Sequence, residues 1–139
     1  MLDILKKMLV RHEGLRLSPY LDSVGKLTIG IGRNLDDNGI SYDEALIFLV
    51  NDIESTKKQV EKEFNWYAYL SDNRKIVILN MAFNMGTKKL KEFTKMILAI
   101  KNKNYPLAAE EMLDSRWAIQ VGKRAKELAE IMLSNEIKS

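Results

Sequence analysis

Cysteine is absent from this sequence of 139 residues, and histidine occurs once. Without cysteine, the chain can form neither disulfides nor thiolate metal sites. The single histidine, His12, has no second histidine or cysteine to complete a metal site, and we interpret it as a polar residue of a helix. The composition therefore excludes disulfide-stapled folds and Cys/His metal centres, and we expect neither a metal nor a cofactor.

Proline and glycine are also scarce, with two prolines and seven glycines in the chain. Hydrophobic residues make up 46% of the sequence, and no low-complexity run interrupts it. This composition is typical of a chain that buries a core, so global disorder is excluded. The length fits one domain, or two small lobes that share a core.

Long apolar runs are missing as well. No stretch approaches the roughly 20 apolar residues that a membrane-spanning helix needs. The N-terminal sequence MLDILKKMLVRHEG is interrupted by Asp3, Lys6 and Lys7. It has neither the apolar core nor the small-residue cleavage site of a secretory signal. We therefore expect a soluble protein without a signal peptide and without stable membrane association.

The net charge is only +3, but it is unevenly distributed along the chain. Residues 1–70 carry nine Lys/Arg and eleven Asp/Glu, whereas residues 71–139 carry thirteen and eight. A basic second half indicates a polyanionic partner, such as nucleic acid or an anionic cell wall. The ordinary alternative is a solvated helical surface, which so small a net charge favours.

Residue periodicity predicts the elements of the N-terminal half. Apolar residues at helical spacing predict an amphipathic helix over 2–12, and Gly14 is its natural stop. Alternating apolar residues over 15–33 predict a β-hairpin. The capping-box pattern of Ser41 and Glu44 opens a long helix that we expect to reach about residue 63.

The C-terminal half is predicted to be helical. Residues 73–86 are apolar on nearly every face, which predicts a buried central helix ended by Gly86. Further helices are expected at about 90–102, 106–113 and 122–135, with a helical turn at 115–120. The fold class is therefore α+β and predominantly α-helical: a small N-terminal lobe with a β-hairpin, a long connecting helix and a C-terminal helical lobe.

Glu13 is an acid at the C-terminal end of a helix, where exposed carbonyl groups disfavour negative charge. That position favours the protonated carboxyl, which is the form a general acid needs. Asp22 follows in the predicted turn and Thr28 on the returning strand. Each also has an ordinary explanation: a solvated surface glutamate, a turn-forming aspartate and a good strand-forming threonine.

As a group, the three residues point to glycoside hydrolysis. That reaction needs two carboxyl groups in different environments, one to protonate the leaving oxygen and one to activate water or stabilise positive charge. Glu13 and Asp22 would be those two groups. The hydroxyl of Thr28 would hold the attacking water.

Four motifs in chain order carry a resemblance to a known family. The first is EG–x7–D–x5–T–IGIG, which contains Glu13, Asp22 and Thr28. The others are NMAFNMG at 80–86, EFT at 92–94 and SRWAIQVGKRA at 115–125. Together they resemble the phage-type lysozymes, the muramidases of glycoside hydrolase family 24, over nearly the whole chain.

The resemblance implies one lysozyme-like domain over 1–139, with a small α/β lobe at about 12–60 and a helical lobe from 1–11 and 61–139. It implies that Glu13 is the general acid, that Asp22 is the second carboxylate and that Thr28 places water on the opposite face of the sugar. Such an inverting mechanism needs carboxyl groups about 6.5–9.5 Å apart. The substrate would be the bond between N-acetylmuramic acid and N-acetylglucosamine in bacterial peptidoglycan.

The resemblance also assigns residues to a substrate cleft between the lobes. Phe83 and Asn84 would face it from the central helix and Arg116 from the far side, while Arg124 matches the arginine that pairs with the catalytic glutamate and would favour the charged form of Glu13. The sequence departs from the family at four positions. Arg33 replaces a histidine and could keep a structural ion pair, Asn34 replaces an apolar cleft residue, and Met96 and Glu111 replace a serine and an asparagine that contact substrate.

Two other functions remain open. The altered cleft positions would fit a catalytically weak peptidoglycan-binding protein on the same fold. The basic second half would fit a helical nucleic-acid-binding protein, but its Lys and Arg residues are scattered and form no known binding motif. We therefore expect a monomeric muramidase with no nucleic-acid partner. The family implies that it stays in the host cytoplasm until a membrane lesion releases it to the cell wall.

Overall fold

The computed structural model describes residues 1–138. Backbone contacts divide the chain into two compact units, Met1–Phe48 and a second from Leu49 onwards. Both units fit the predicted class, because the structure is mostly helical and has one small antiparallel sheet. The lobe boundaries inferred from the sequence, with 12–60 in one lobe and 1–11 and 61–139 in the other, stay predictions.

The N-terminal unit begins with helix α1, Leu2–Glu13. Gly14 follows with a φ of +79°, and its N–H donates to Val10 O at 2.9 Å. Glycine adopts positive φ without the steric cost that a side chain brings, so the chain can leave the helix here. The predicted helix end is confirmed, and it makes Glu13 the last residue of α1.

Three strands form one antiparallel sheet in the order β1-β2-β3: Arg16–Leu21, Leu27–Gly30 and Arg33–Asn34. Tyr20 lies opposite Thr28 in the first pair, so the predicted hairpin is confirmed. Pro19 lies in β1, an edge strand, where its missing N–H costs no ladder bond. The third strand was not predicted.

A short helix, α2 (Leu35–Asn38), follows directly and was also not predicted. Asn34 caps it by accepting a hydrogen bond from Asp37 N. The expected capping box then opens α3, Tyr42–Glu63: Glu44 N donates to Ser41 Oγ at 3.1 Å, and Ser41 N donates to Glu44 Oε1 at 2.8 Å. The start and the length of this helix agree with the sequence prediction.

The second unit continues α3 and is helical along its described length. Its elements are a 3₁₀ helix at Asn65–Tyr69, α4 (Asp72–Met85), α5 (Thr87–Leu90), α6 (Thr94–Lys101), α7 (Tyr105–Leu113), α8 (Arg116–Val121) and α9 (Lys123–Ser134). The single helix predicted at 90–102 is wrong in its first turn, because α5 ends at Leu90 and α6 begins only at Thr94.

The core of this unit forms around α4. Val77, Ile78, Met81 and Ala82 of α4 are at most 3% exposed and belong to a cluster with residues of α6, α7 and α9. The expectation that nearly every face of α4 is buried is only partly confirmed, because Ile76 and Phe83 line an open pocket. Among residues 1–138, no helix combines the length and the apolar character needed to cross a membrane.

Candidate active site

Glu13 lies against a glycine of the sheet. The carboxyl group is so close to Gly32 that a Cβ atom built there would lie 2.9 Å from Glu13 Oε2 and 3.1 Å from its Cγ and Cδ. Gly32 also has a φ of +72°, which L side chains rarely adopt. The turn between β2 and β3 therefore needs glycine at position 32 for two reasons, and one of them is the space that Glu13 occupies.

Asp22 builds the turn between β1 and β2. Its Oδ1 accepts hydrogen bonds from Val24 N at 2.9 Å and from Lys26 N at 2.8 Å. Its backbone carbonyl accepts a further bond from Gly25 N at 3.0 Å. Within residues 1–138, no hydrogen bond reaches Oδ2, so this oxygen is available to a ligand. Asp22 can therefore hold the turn through Oδ1 and still take part in chemistry through Oδ2.

Thr28 is 3% exposed, and its hydroxyl donates to Lys26 O at 2.9 Å. The same carbonyl accepts the backbone N–H of Asp22 at 2.9 Å. Because the Thr28 hydroxyl hydrogen is committed to Lys26 O, the lone pairs of Oγ1 remain as hydrogen-bond acceptors. A water molecule next to Thr28 would donate one of its hydrogens to this oxygen.

The backbone of Lys26 therefore connects two of the three predicted catalytic residues. Its N–H holds the Asp22 carboxylate, and its C=O holds the Thr28 hydroxyl. Glu13 lies at the other turn of the same sheet, against Gly32. The structure places all three in the N-terminal unit. Backbone hydrogen bonds hold the side chains of Asp22 and Thr28, whereas the exposed side chain of Glu13 lies beside Gly32.

Arg33 forms an ion pair with Glu44, as the sequence analysis allowed for an arginine at this position. Its Nη1 donates to Glu44 Oε1 at 2.8 Å and its Nη2 to Glu44 Oε2 at 2.6 Å, a bidentate geometry. Nη1 also donates to Gly39 O at 3.1 Å. The hydrogen bond from Arg33, followed by the bonds from Ser41, lowers the pKa of Glu44 to about 2. Arg33 thus joins β3 to the first turn of α3.

Asn34 uses both ends of its side-chain amide in local structure. Its Oδ1 accepts from Asp37 N at 3.0 Å, and its Nδ2 donates to Asp37 Oδ2 at 2.9 Å. It also lines a pocket of about 510 Å³ together with Gly30 and Gly32. Its contact with substrate stays a prediction, and helix capping is the role that the structure shows.

Among the predicted residues of the second unit, Asn84 accepts a hydrogen bond from Trp117 Nε1 at 2.8 Å. The Trp117 ring meets Phe93 edge to face, with ring centroids 6.2 Å apart. These contacts link the NMAFNMG, EFT and SRW motifs. The structure therefore gives a physical reason for three separate stretches of sequence to occur together.

Arg124 lies with Phe83 in the wall of a mostly apolar pocket of about 310 Å³. Its Nε donates to Asn80 Oδ1 at 2.9 Å, and its Nη2 donates to Asn80 O at 3.4 Å. The bond to Asn80 holds the guanidinium group at the α4 side of this pocket. Its predicted role in supporting Glu13 stays a prediction.

Met96 and Glu111 line a second pocket, of about 240 Å³, beside Glu92 and Asp114. Met96 is only 1% exposed, so it offers almost no surface to a ligand in this pocket. Arg116 is the first residue of α8, and its side chain is exposed. The roles of these three residues in binding substrate stay predictions.

Sequence reasoning missed the two acids of α2. Asp36 Oδ2 accepts a hydrogen bond from Leu27 N at 2.6 Å, and Asp37 Oδ1 pairs with Lys26 Nζ at 3.1 Å. A signal was available, because Asn34 followed three residues later by an acid is a helix-start pattern. The contacts with Lys26 and Leu27 are tertiary and leave no such trace in the sequence.

Glycoside hydrolases use a pair of carboxyl groups. In this mostly helical α+β fold, Glu13 ends α1, Asp22 lies in the turn between β1 and β2, and Thr28 lies in β2. Residues 10–131 match the family model for phage lysozyme, and the chain belongs to the phage lysozyme family. The resemblance inferred from the four motifs is confirmed.

Similar proteins agree with this assignment. The chain is 28% identical to a probable T4-type lysozyme 2 of Dictyostelium discoideum over 168 aligned positions, which cover 99% of this chain and 98% of that protein. It is 27% identical to a probable T4-type lysozyme 1 of the same organism, with 95% of both chains covered. It is also 27% identical to the pre-baseplate central spike protein Gp5 of Enterobacteria phage T4, of which it spans 28%.

Proposed function

We propose that this protein hydrolyses the β-1,4 bond between N-acetylmuramic acid and N-acetylglucosamine in bacterial peptidoglycan and thereby lyses cells. The observation that carries the proposal is the shared anchoring of Asp22 and Thr28 on Lys26, on the sheet whose other turn touches Glu13. Family membership supports the same class of reaction.

In the proposed mechanism, Glu13 donates its proton to the glycosidic oxygen as the bond to the anomeric carbon breaks. Positive charge then develops on the sugar ring, and a water molecule attacks from the opposite face. That water donates one hydrogen bond to Thr28 Oγ1 and the other to the carboxylate of Asp22. Asp22 accepts the proton that the water loses and later releases it to solvent, and Glu13 regains a proton from solvent.

This mechanism inverts the anomeric carbon, so the first product from a β-linked chain is the α-anomer. Proton NMR of a soluble peptidoglycan fragment during early hydrolysis distinguishes the two anomers before they equilibrate. Initial appearance of the β-anomer would instead indicate a retaining mechanism with a covalent intermediate.

Lysis of permeabilised Gram-negative cells, followed by turbidity, tests the activity itself. We expect the wild-type protein to clear the suspension and Glu13→Gln to lose at least about 100-fold in rate, because glutamine has the same shape but no proton to donate. Asp22→Asn should also be strongly impaired. Circular dichroism checks that both variants fold, and full activity of folded Glu13→Gln would exclude Glu13 as the acid.

A catalytically weak peptidoglycan-binding protein is the second candidate. Glu111, Asp114 and Glu92 outnumber Lys95 in the lining of one candidate pocket, and this excess of negative charge would weaken turnover of an anionic wall at that pocket. Sedimentation of the wild-type protein with purified walls, measured beside turbidity, separates the two functions. Binding without any clearing would favour the second candidate.

For the cellular setting, we propose a monomer without cofactor that remains in the host cytoplasm until a separate membrane lesion releases it. This route is the one that the resemblance to phage lysozymes implies. Cell fractionation and size-exclusion chromatography check the location and the oligomeric state. Protein recovered from the periplasm of intact producing cells would contradict the route.

A further inference from the structure

The peptide group between Lys26 and Leu27 is hydrogen-bonded at both edges. Its carbonyl oxygen accepts the Thr28 hydroxyl and the Asp22 N–H, each at 2.9 Å. Its N–H, which belongs to Leu27, donates to Asp36 Oδ2 at 2.6 Å. One rigid plane therefore lies between two candidate catalytic residues and an acid that the proposed mechanism does not use.

Asp36 is held in place by the short helix α2. It belongs to the first turn of α2, which Asn34 caps through Asp37 N. Asn34 is also the strand partner of Thr28 in the β2–β3 pair. Asp36 therefore belongs to a helix whose capping residue, Asn34, is also the strand partner of Thr28. Asp36 and Thr28 are thus connected through Asn34 as well as through the peptide.

We propose that Asp36 is a positioning residue that sets the orientation of the Thr28 hydroxyl through the Lys26–Leu27 peptide. The effect on catalysis rests on the proposed function, whereas the contact itself does not. Asp36 touches neither of the candidate catalytic side chains directly. It acts through the peptide plane whose carbonyl accepts the Thr28 hydroxyl and the backbone N–H of Asp22.

Two physical effects support this role. Because the peptide is planar, fixing its N–H fixes the direction of its carbonyl, and with it the direction in which Thr28 donates. Hydrogen bonds in a chain also polarise one another, so an N–H bonded to a carboxylate makes the carbonyl of the same peptide a better acceptor. Both effects keep the lone pairs of Thr28 Oγ1 directed at the attacking water.

Steady-state kinetics on a soluble peptidoglycan substrate tests the catalytic part. We expect Asp36→Ala to lower kcat about tenfold with KM nearly unchanged, which is less than the ~100-fold loss that a full 1 Å misplacement causes. Asp36→Asn keeps an oxygen acceptor and should recover most of the loss. Equal changes in kcat and KM, or no recovery by asparagine, would overturn the proposal.

Asp37→Ala is the matched control. Asp37 is an acid in the same turn and its removal changes the net charge equally, but its carboxylate accepts from the side chains of Lys26 and Asn34 and not from the peptide. We expect Asp37→Ala to keep the wild-type kcat. A loss equal to that of Asp36→Ala would show that charge or helix stability, not positioning, is responsible.

Amide NMR tests the contact without any activity. Asp36→Ala should move the Leu27 amide proton upfield and shift the Lys26 carbonyl carbon with it, because the charged acceptor is lost. Asp37→Ala should leave both signals near their wild-type positions. Leu27 and Lys26 signals that Asp36→Ala leaves unchanged would overturn the proposal. An inactive wild-type protein with the expected shifts in Asp36→Ala would overturn the proposed function and leave the peptide contact established.

Discussion

At the scale of single residues, Glu13 and Gly32 constrain each other. A side chain at position 32 would need the space that the Glu13 carboxyl occupies, since a Cβ there lies 2.9 Å from Oε2. The carboxyl is the flexible end of a side chain and can move, so the conflict displaces Glu13 at little cost to the fold. This contact therefore affects the position of the predicted acid more than it affects stability.

Gly32→Ala should lower the lytic rate by about tenfold or more, because the displaced carboxyl no longer meets the glycosidic oxygen in line. The φ of +72° adds a destabilisation of about 1–2 kcal/mol. Gly122→Ala is the control, with a φ of +58° and no atom within 4 Å of a Cβ. Turbidity measures the lytic rates of both variants, and thermal unfolding measures their stability. Equal lytic rates in the two variants would contradict the inference that Gly32 leaves space for the Glu13 carboxyl.

The Arg33–Glu44 pair should make stability depend on pH in the acid range. The hydrogen bond from Arg33 lowers the folded-state pKa of Glu44 to about 2, from its ordinary value of 4.5. A depressed carboxyl pKa adds stability above the unfolded-state value, and that stability is lost as the pH falls from about 4.5 towards 2. Arg33 stays charged throughout, so Glu44 is the group of this pair that titrates.

Glu44→Gln isolates this charge, because glutamine can still complete the capping box with Ser41. We expect wild type to melt at a higher temperature than Glu44→Gln at pH 7, and the difference to shrink to near zero at pH 2. Added salt should also reduce the difference in melting temperature, since the Arg33–Glu44 pair is partly exposed. Glu54→Gln, at an exposed glutamate of the same helix, serves as control, and a constant difference from pH 7 to pH 2 would contradict the assignment.

At the scale of elements, local signals predicted the helices well. Gly14 and Gly86 end helices where expected, and the Ser41–Glu44 capping box opens α3. The short elements were missed because their stability is not local. β3 has two residues and depends on pairing with β2, and α2 has four and depends on Asn34 and on contacts with Lys26 and Leu27.

The central helix α4 should carry much of the stability of its unit. Ile78 is 0% exposed within the hydrophobic core. Ile78→Ala should cost about 2–5 kcal/mol of unfolding free energy, from lost burial and the cavity left behind. Ile119→Ala, at an 84% exposed position of α8, should stay within about 0.5 kcal/mol. Urea denaturation measures both, and similar losses would contradict this location of the core.

At the scale of the whole molecule, the identity of the candidate site came from motifs and its geometry from tertiary contacts. Glu13, Asp22 and Thr28 could be named because their spacing resembles a pattern of the phage lysozyme family, to which the chain belongs. The Lys26 backbone and Asp36 could not be named, since backbone atoms and long-range hydrogen bonds leave no residue pattern. The partner of Arg33, eleven residues away, is another contact of this kind.

A muramidase with Glu13 as its general acid should create new reducing ends at muramic acid. The most direct measurement is digestion of purified peptidoglycan, followed by borohydride reduction and identification of the newly reduced sugar by mass spectrometry. We expect muramitol from the wild-type protein and no new reduced sugar from folded Glu13→Gln. Glucosaminitol from the wild type, or muramitol from Glu13→Gln at the wild-type rate, would contradict this expectation.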